Sequence, residues 1–224
     1  MTAAYQQAGN YAADLDAGLY TPLECVVKEP YPLSFSRMVR GSRKNKIDVV
    51  LQEGPYISYI AEYPSYTKDC RYFNLELSFM NRGIVDAGWM LDSPAHFFLL
   101  YCPIWKDGTN SPVQLRALLI PKARLLQTLS RKGFNRAVLA QRDELLRQSN
   151  WSGNYKTSDP DILIQFRNEG ERKPIFVQLS TKILEAIAAA DFLVPMGDSS
   201  QPLKGNWLGQ DVEFYREESK ENGR

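Results

Sequence analysis

Apolar residues alternate with polar ones, or form short unbroken runs, over much of the first half of the chain. Patterns of this kind, rich in β-branched and aromatic residues, predict strands. The predicted strands cover residues 47–51, 56–62, 73–79, 97–103 and 114–120. The first two are predicted to pair as a hairpin, because residues 52–55 have the Gly-Pro composition of a turn.

The second half of the chain mixes helical and strand patterns. Apolar residues at helical spacing predict helices over 122–131 and 135–148, with Asn135 as the N-cap of the second. Two more strands, 161–166 and 174–179, lead into a third helix that starts at Ser180 or Thr181. This mixture predicts an α/β protein with a central mixed β-sheet flanked by helices.

The patterned residues indicate one domain with a segment on either side. We expect a single α/β domain over residues 34–195, with no internal repeat. Residues 1–33 are poorly patterned and proline-rich towards their end, so they are predicted to be an N-terminal arm. Residues 196–224 are loose and end in a charged stretch, which is typical of a frayed C-terminal tail.

Composition excludes several classes of function. Lys and Arg number 27 against 26 for Asp and Glu, so overall charge gives no argument for nucleic acid. A single histidine, His96, argues against zinc sites and histidine-based triads, and no phosphate-binding glycine loop is present. An odd number of cysteines without a secretory signal predicts a reducing, cytoplasmic location. No apolar run is long enough to span a membrane.

Acidic residues interrupt three of the predicted strands, at Asp48, Glu62 and Glu76. A carboxylate inside an apolar strand costs free energy unless it is paired or binds a cation. The three acids therefore predict a cation site on the sheet. Structural alternatives stay open, because Asp48 could cap a turn or pair with Lys46, and Glu62 could simply be exposed. Glu76 could form an ion pair with Arg71 or Lys68.

A basic stretch directly precedes Asp48. Residues 34–46 contain no acid, and their basic residues are Arg37, Arg40, Arg43, Lys44 and Lys46. One interpretation is a solvated turn. The other is an edge that contacts phosphates, which makes Arg40, Arg43, Lys44 and Lys46 the candidate nucleic-acid-binding residues. Such contacts would set position on the backbone rather than sequence preference.

The order of strands and acids resembles the restriction-endonuclease-like superfamily of PD-(D/E)XK nucleases, and especially its small phage and bacterial members. Asp48 matches the first acid of the family motif and Glu62 the second. Further matches are the later Glu strand at 74–76, Gly-Trp at 88–89, the turn at 93–96, and the strand-to-helix junction at 118–121. The resemblance covers residues 47–129.

This resemblance implies a restriction-endonuclease-like fold and a metal-dependent endonuclease that hydrolyses DNA phosphodiester bonds, associated with phages, mobile elements or defence. It implies that Asp48 and Glu62 bind Mg²⁺ or Mn²⁺ and that Glu76 has a supporting catalytic role. The cation would polarise the phosphoryl oxygen and lower the pKa of a bound water. Many enzymes of this fold pair to cut both strands, which leaves a homodimer open.

Two prolines depart from the family pattern. Pro64 stands where the family has the lysine of Glu-x-Lys, and Pro94 where its turn usually has lysine. Proline carries no charge and donates no hydrogen bond. Lys68, or else Arg71, is the candidate replacement for the missing catalytic lysine. The alternative function is a nuclease-like protein that has lost catalysis and binds nucleic acid or a protein partner.

Overall fold

The computed structural model describes residues 11–38, 47–65, 70–105, 112–149, 152–168, 170–197 and 201–215. Thirteen strands in these ranges form two sheets. In spatial order the first sheet contains β1 (Leu33–Arg37), β2 (Val49–Glu53), β3 (Tyr56–Pro64), β6 (Phe97–Trp105), β7 (Pro112–Pro121), β11 (Ala190–Pro195), β12 (Leu203–Trp207) and β13 (Gln210–Phe214). The second contains β5 (Ile84–Ala87), β4 (Tyr72–Asn81), β10 (Ile175–Ser180), β9 (Ile162–Phe166) and β8 (Gly153–Lys156).

The helices are short, and several lie at the junctions between strands. They are α1 (Tyr11–Leu15), a π-helical turn (Asp16–Tyr20), α2 (Thr21–Val26), α3 (Trp89–Asp92), α4 (Lys122–Arg131), α5 (Arg136–Ser149) and α6 (Thr181–Ile187). The side chain of Asn135 accepts a hydrogen bond from the Val138 N–H at 3.0 Å, which confirms the predicted N-cap of α5. Ser180 caps α6. None of the helices described is long and apolar enough to cross a membrane.

The first sheet is mixed and curled. All its neighbouring strands are antiparallel except β3 and β6, which run parallel with Ile60 opposite Phe97. Its two ends approach each other, since Phe35 near one edge contacts Trp207 near the other with ring centroids 6.2 Å apart. Each face of this sheet has its own core. The concave face encloses the N-terminal helices, and the other face packs against the second sheet, α4, α5 and α6.

The α/β class is confirmed, and the strands predicted to form one central sheet are divided between two. Strand β4, which carries Glu76, pairs with β5 and β10 of the second sheet instead of with β3 or β6. An alternation pattern identifies a strand but does not specify its partner, because pairing depends on the tertiary fold. The connection from β3 to the parallel β6 passes through β4, β5 and α3.

Both segments that the sequence pattern places outside the domain contribute to the concave core. Leu15, Leu19 and Leu23 of the predicted arm are almost fully buried there. They are spaced four residues apart, which is the spacing of one helix face. In the predicted tail, β12 and β13 form a hairpin on the edge of the first sheet, and Trp207 of this hairpin is buried.

A disulfide connects the two sheets. Cys70, just before β4, bonds to Cys102 of β6, with a Cα–Cα distance of 5.9 Å. Cys25 is free and exposed. The odd cysteine count predicts a reducing location, whereas the structure pairs two of the three cysteines.

Candidate functional site

Glu62 lies on β3, with its side chain on the concave side of the curled sheet. Its two carboxylate oxygens accept hydrogen bonds from the Arg37 guanidinium, from Nη1 at 2.8 Å and from Nη2 at 3.0 Å. The hydroxyl of Tyr20 donates a further hydrogen bond at 2.8 Å. Only 6% of the Glu62 side chain is exposed. The carboxylate is therefore held by one cation and one hydroxyl, which satisfy it within the protein.

Arg37, the last residue of β1, connects this carboxylate to a second one. Its Nε and Nη2 each donate to Asp16 at 2.7 Å, and its Nη2 also reaches the carbonyl of Ala12 at 3.3 Å. Asp16 and Tyr20 both belong to the π-helical turn. The buried N-terminal helices thus supply two of the four members of a network, Asp16, Tyr20, Arg37 and Glu62, which we call the Arg37 network.

Opposing effects act on the charges of the Arg37 network. Burial raises the pKa of Glu62, while the hydrogen bonds and charge of Arg37 and the Tyr20 hydroxyl lower it, and the net shift is upward. Burial lowers the pKa of Arg37, but its bonds to Asp16 and Glu62 raise it by more. We take Glu62 as ionised at neutral pH, because a bidentate guanidinium and a hydroxyl donor both favour the charged carboxylate.

Asp48 is fixed beside Glu62 through the backbone. Its Oδ2 accepts a hydrogen bond from the Glu62 N–H at 2.8 Å, and its own N–H donates to the Ile60 carbonyl at 2.9 Å. The charge of Asp48 contributes to the raised pKa of Glu62. The structure therefore brings the first two predicted acids together, although Asp48 contacts the main chain of Glu62 and Arg37 takes the Glu62 carboxylate.

Tyr63, the next residue on β3, lies on the opposite face of the sheet. Its ring stacks on Trp89 with centroids 3.5 Å apart and contacts the edge of Phe98. Burial raises the pKa of the Tyr63 phenol, the charges of Asp48 and Glu76 raise it further, and a hydrogen bond with the Ser93 side chain lowers it. The phenol is therefore neutral at physiological pH. Tyr63 is not among the site residues predicted from the sequence. Its position directly after Glu62 on the same strand is the feature that could have identified it.

Glu76 lies on β4, in the other sheet. Its Oε1 accepts a hydrogen bond from Nη2 of Arg172 at 2.9 Å, and Glu76 itself is only 7% exposed. The Arg172 guanidinium also lies over the ring of Phe79, 4.2 Å from its centroid. Glu76 therefore forms an ion pair, which is the alternative to a catalytic role that the sequence left open. Its partner in this pair is Arg172.

The Gly-Trp pair and the turn after it place Trp89 and Ser93 beside Tyr63. A Cβ on Gly88 would lie 2.2 Å from the carbonyl oxygen of Glu76, so only glycine fits against β4 here. Lys122, at the start of α4, donates hydrogen bonds to the carbonyls of Leu91 and Ser93 and so holds this turn in place. Sequence reasoning missed this lysine, which follows the predicted strand-to-helix junction.

The remaining predicted site residues are Lys68, Arg40, Arg43, Lys44 and Lys46. All of them lie outside the described residues.

The residues around Asp48 and Glu62 do not fit a divalent cation between their carboxylates. Arg37 and Tyr20 occupy the oxygens of Glu62 that such a cation would need. Binding would have to separate a partly buried, bidentate ion pair, which is costly because it leaves the guanidinium without one of its partners. Across the described ranges, no group of three or more His, Cys, Asp or Glu side chains is placed to hold a metal ion.

Comparison with known proteins yields no relative. No family model, curated protein or solved structure matches the chain. The function is therefore inferred from the geometry and charges of this molecule.

Proposed function

We propose that the chain is a nucleic-acid-binding protein on a restriction-endonuclease-like scaffold that does not hydrolyse its ligand. The observation that carries this proposal is the Arg37 network, in which a guanidinium and a hydroxyl hold the Glu62 carboxylate. A carboxylate held in this way is a poor ligand for Mg²⁺, because the cation must first displace Arg37.

The residues that follow Glu62 also favour a site without catalysis. In the resembling nucleases a lysine near the metal stabilises the charge that develops on the phosphoryl group. In this chain the residues that follow Glu62 are Tyr63 and Pro64. Burial and the charges of Asp48 and Glu76 raise the pKa of Tyr63, so its hydroxyl carries a proton and no positive charge. Neither residue can replace a lysine ammonium.

Local charge favours nucleic acid as the ligand. The stretch between β1 and β2 contains Arg40, Arg43, Lys44 and Lys46 and no acidic residue before Asp48. Basic residues at this density, in a chain of nearly balanced overall charge, are typical of a segment that neutralises phosphates. Nucleic-acid binding of this kind releases counterions and weakens as salt rises.

Removing three of these charges is expected to weaken nucleic-acid binding. In the variant Arg40→Gln/Arg43→Gln/Lys44→Gln, the slope of log K against log salt for duplex DNA should become shallower by about 0.9 for each phosphate that is no longer neutralised. Fluorescence anisotropy with a labelled duplex over a range of salt concentrations measures both the affinity and this slope.

The matched control removes the same charge from the exposed faces of α4 and α5, in Arg131→Gln/Arg136→Gln/Arg142→Gln. We expect this control to bind as wild type does. Equal reductions in affinity in the two triple variants would mean a nonspecific effect of net charge and would contradict the role of the basic stretch. A wild-type chain that binds no nucleic acid would overturn the proposed function itself.

Metal-dependent hydrolysis of DNA is the second candidate, and one observation favours it. The charges of Asp48 and Glu76 both raise the pKa of the half-buried Tyr63 phenol, so both acids lie near this side chain. Under this candidate Asp48→Asn abolishes cleavage in Mg²⁺ or Mn²⁺. Glu62→Gln would leave cleavage largely intact, since the Glu62 carboxylate serves Arg37.

A further inference from the structure

Two turns of the second sheet lie side by side and form a cleft of about 970 Å³. One is the β4–β5 turn at Arg82 and Gly83, and the other connects β9 to β10. The N–H of Met80 donates to the carbonyl of Arg172 at 2.6 Å and ties the two turns together. The polar and charged residues that line the cleft are Asn81, Arg82, Glu171, Arg172 and Lys173.

The lining is cationic and presents one guanidinium in a fixed orientation. Among the described residues that line the cleft, Arg82, Arg172 and Lys173 are the cations and Glu171 is the one acid. The Arg172 side chain is 61% exposed, yet it is held by Glu76 through Nη2 and by the ring of Phe79. A guanidinium has five N–H donors, so the bond to Glu76 uses only part of its capacity. A fixed guanidinium at a surface cleft is suited to phosphate oxygens.

Two of the cleft cations have an unfavourable backbone conformation. Arg82 has φ of 51° and Lys173 φ of 38°, both in the left-handed region. With Gly83 at φ of 83°, the β4–β5 turn has positive φ at both central residues, where Asn-Gly is the favoured pair. A non-glycine residue in this region costs about 1–2 kcal/mol. Strain of this kind concentrates at binding sites, where the side chain serves a purpose other than folding.

The outer face of the second sheet continues from this cleft as a row of aromatic and polar side chains. In the strand register Glu76 lies opposite Phe176, Phe176 opposite Gln165, and Gln165 opposite Asn154. The Arg167 guanidinium lies over the Phe176 ring, 5.2 Å from its centroid. Amides, a guanidinium and an aromatic ring on a sheet face are groups that contact bases and phosphates.

We propose that the cleft between these two turns binds the phosphodiester backbone of a nucleic acid, which then passes over the outer face of the second sheet. Arg82, Arg172 and Lys173 contact the phosphates. This inference rests on the proposed function and assigns phosphate contacts to residues other than those of the basic stretch between β1 and β2.

The test uses Arg82→Asn/Lys173→Asn in the full chain. Asparagine tolerates positive φ better than arginine or lysine, so the variant should fold with thermal stability equal to or above wild type. Without these two cations on the phosphates, binding should weaken roughly tenfold to a hundredfold near 0.1 M salt. Fluorescence anisotropy with a short single-stranded oligonucleotide and with a duplex of the same length gives the affinity and the salt slope for each. The form whose affinity falls more from wild type to the variant is the ligand of the cleft.

The control is Arg136→Gln/Arg142→Gln, which removes the same charge from exposed positions of α5 and should bind as wild type does. If wild type binds and the cleft variant keeps its affinity and salt slope, the cleft assignment is overturned while the proposed function stands. Equal reductions in affinity in the cleft variant and the control would also overturn it. If wild type binds neither oligonucleotide, the proposed function fails, and the cleft assignment fails with it.

Discussion

Arg37→Met is expected to destabilise the fold by about 3 kcal/mol at neutral to mildly alkaline pH, the lower end of the cost of removing one partner from a buried ion pair, because Glu62 is buried while Arg37 is 29% exposed. Methionine keeps much of the aliphatic volume of arginine but leaves the Glu62 carboxylate with the Tyr20 hydroxyl as its remaining partner in the Arg37 network. Asp16 loses its ion pair as well, but its side chain is 45% exposed and can be hydrated.

The loss of stability should depend on pH in a defined direction. In the folded variant the charge of Arg37 no longer compensates for burial of Glu62, so the pKa of Glu62 rises further above the unfolded value, which is about 4.3. A carboxyl group whose pKa is raised by folding binds more protons when folded, so its contribution to stability falls as the pH rises. The deficit of Arg37→Met relative to wild type should therefore be larger near pH 8 than near pH 5.

Urea unfolding of both proteins at the two pH values measures this difference. Arg136→Met, at an exposed position on α5, is the matched control and should lie within about 0.5 kcal/mol of wild type. The double variant Arg37→Met/Glu62→Met should recover part of the stability, because it removes the buried charge. A deficit that does not change with pH, or no recovery in the double variant, would contradict our description of the Arg37 network.

Gly88→Ala should also be strongly destabilising, by about 3 kcal/mol or more, because it overpacks backbone against backbone. The added Cβ would lie 2.2 Å from the carbonyl oxygen of Glu76. Neither side can relax by a rotamer change, so β4 or α3 must move. Such a movement would separate Trp89 from Tyr63, and the near-ultraviolet circular dichroism of these stacked rings should change.

The control for Gly88→Ala is Gly133→Ala. Gly133 has open space around its Cβ position but a φ of 86°, so this substitution tests backbone strain without a clash. We expect it to cost about 1–2 kcal/mol. If the two alanine variants have the same free energy of unfolding, the close approach of Gly88 to β4 is not what constrains that position.

The local elements of this fold are readable in the sequence because their patterns are local. The helix predicted over 122–131 is α4, and the predicted strands at 56–62 and 97–103 extend by two residues in β3 and β6. Six strands are not predicted from the sequence: β1, β5, β8, β11, β12 and β13. Two of them, β5 and β8, consist mostly of exposed or half-buried residues and show little alternation of apolar positions.

The arrangement of these elements is not local, and there the sequence is less informative. Nothing in the pattern of β4 shows that it pairs in a second sheet. Leu15, Leu19 and Leu23 have helical spacing, but Pro22 lies within this segment and argues against one continuous helix. The candidate site divides in the same way. Asp48 and Glu62 are adjacent, as the predicted hairpin implies. Arg37 belongs to the basic stretch by sequence, but in the structure it pairs with Asp16 of the N-terminal helices and Glu62 of β3.

The most direct test of the central claim is a single-turnover assay on labelled single-stranded and duplex DNA, with the protein in excess and Mg²⁺ or Mn²⁺ present. We predict that the DNA is bound and stays intact, and that wild type and Asp48→Asn give the same result. Metal-dependent cleavage by wild type that is abolished in Asp48→Asn would contradict it and would establish the chain as a nuclease.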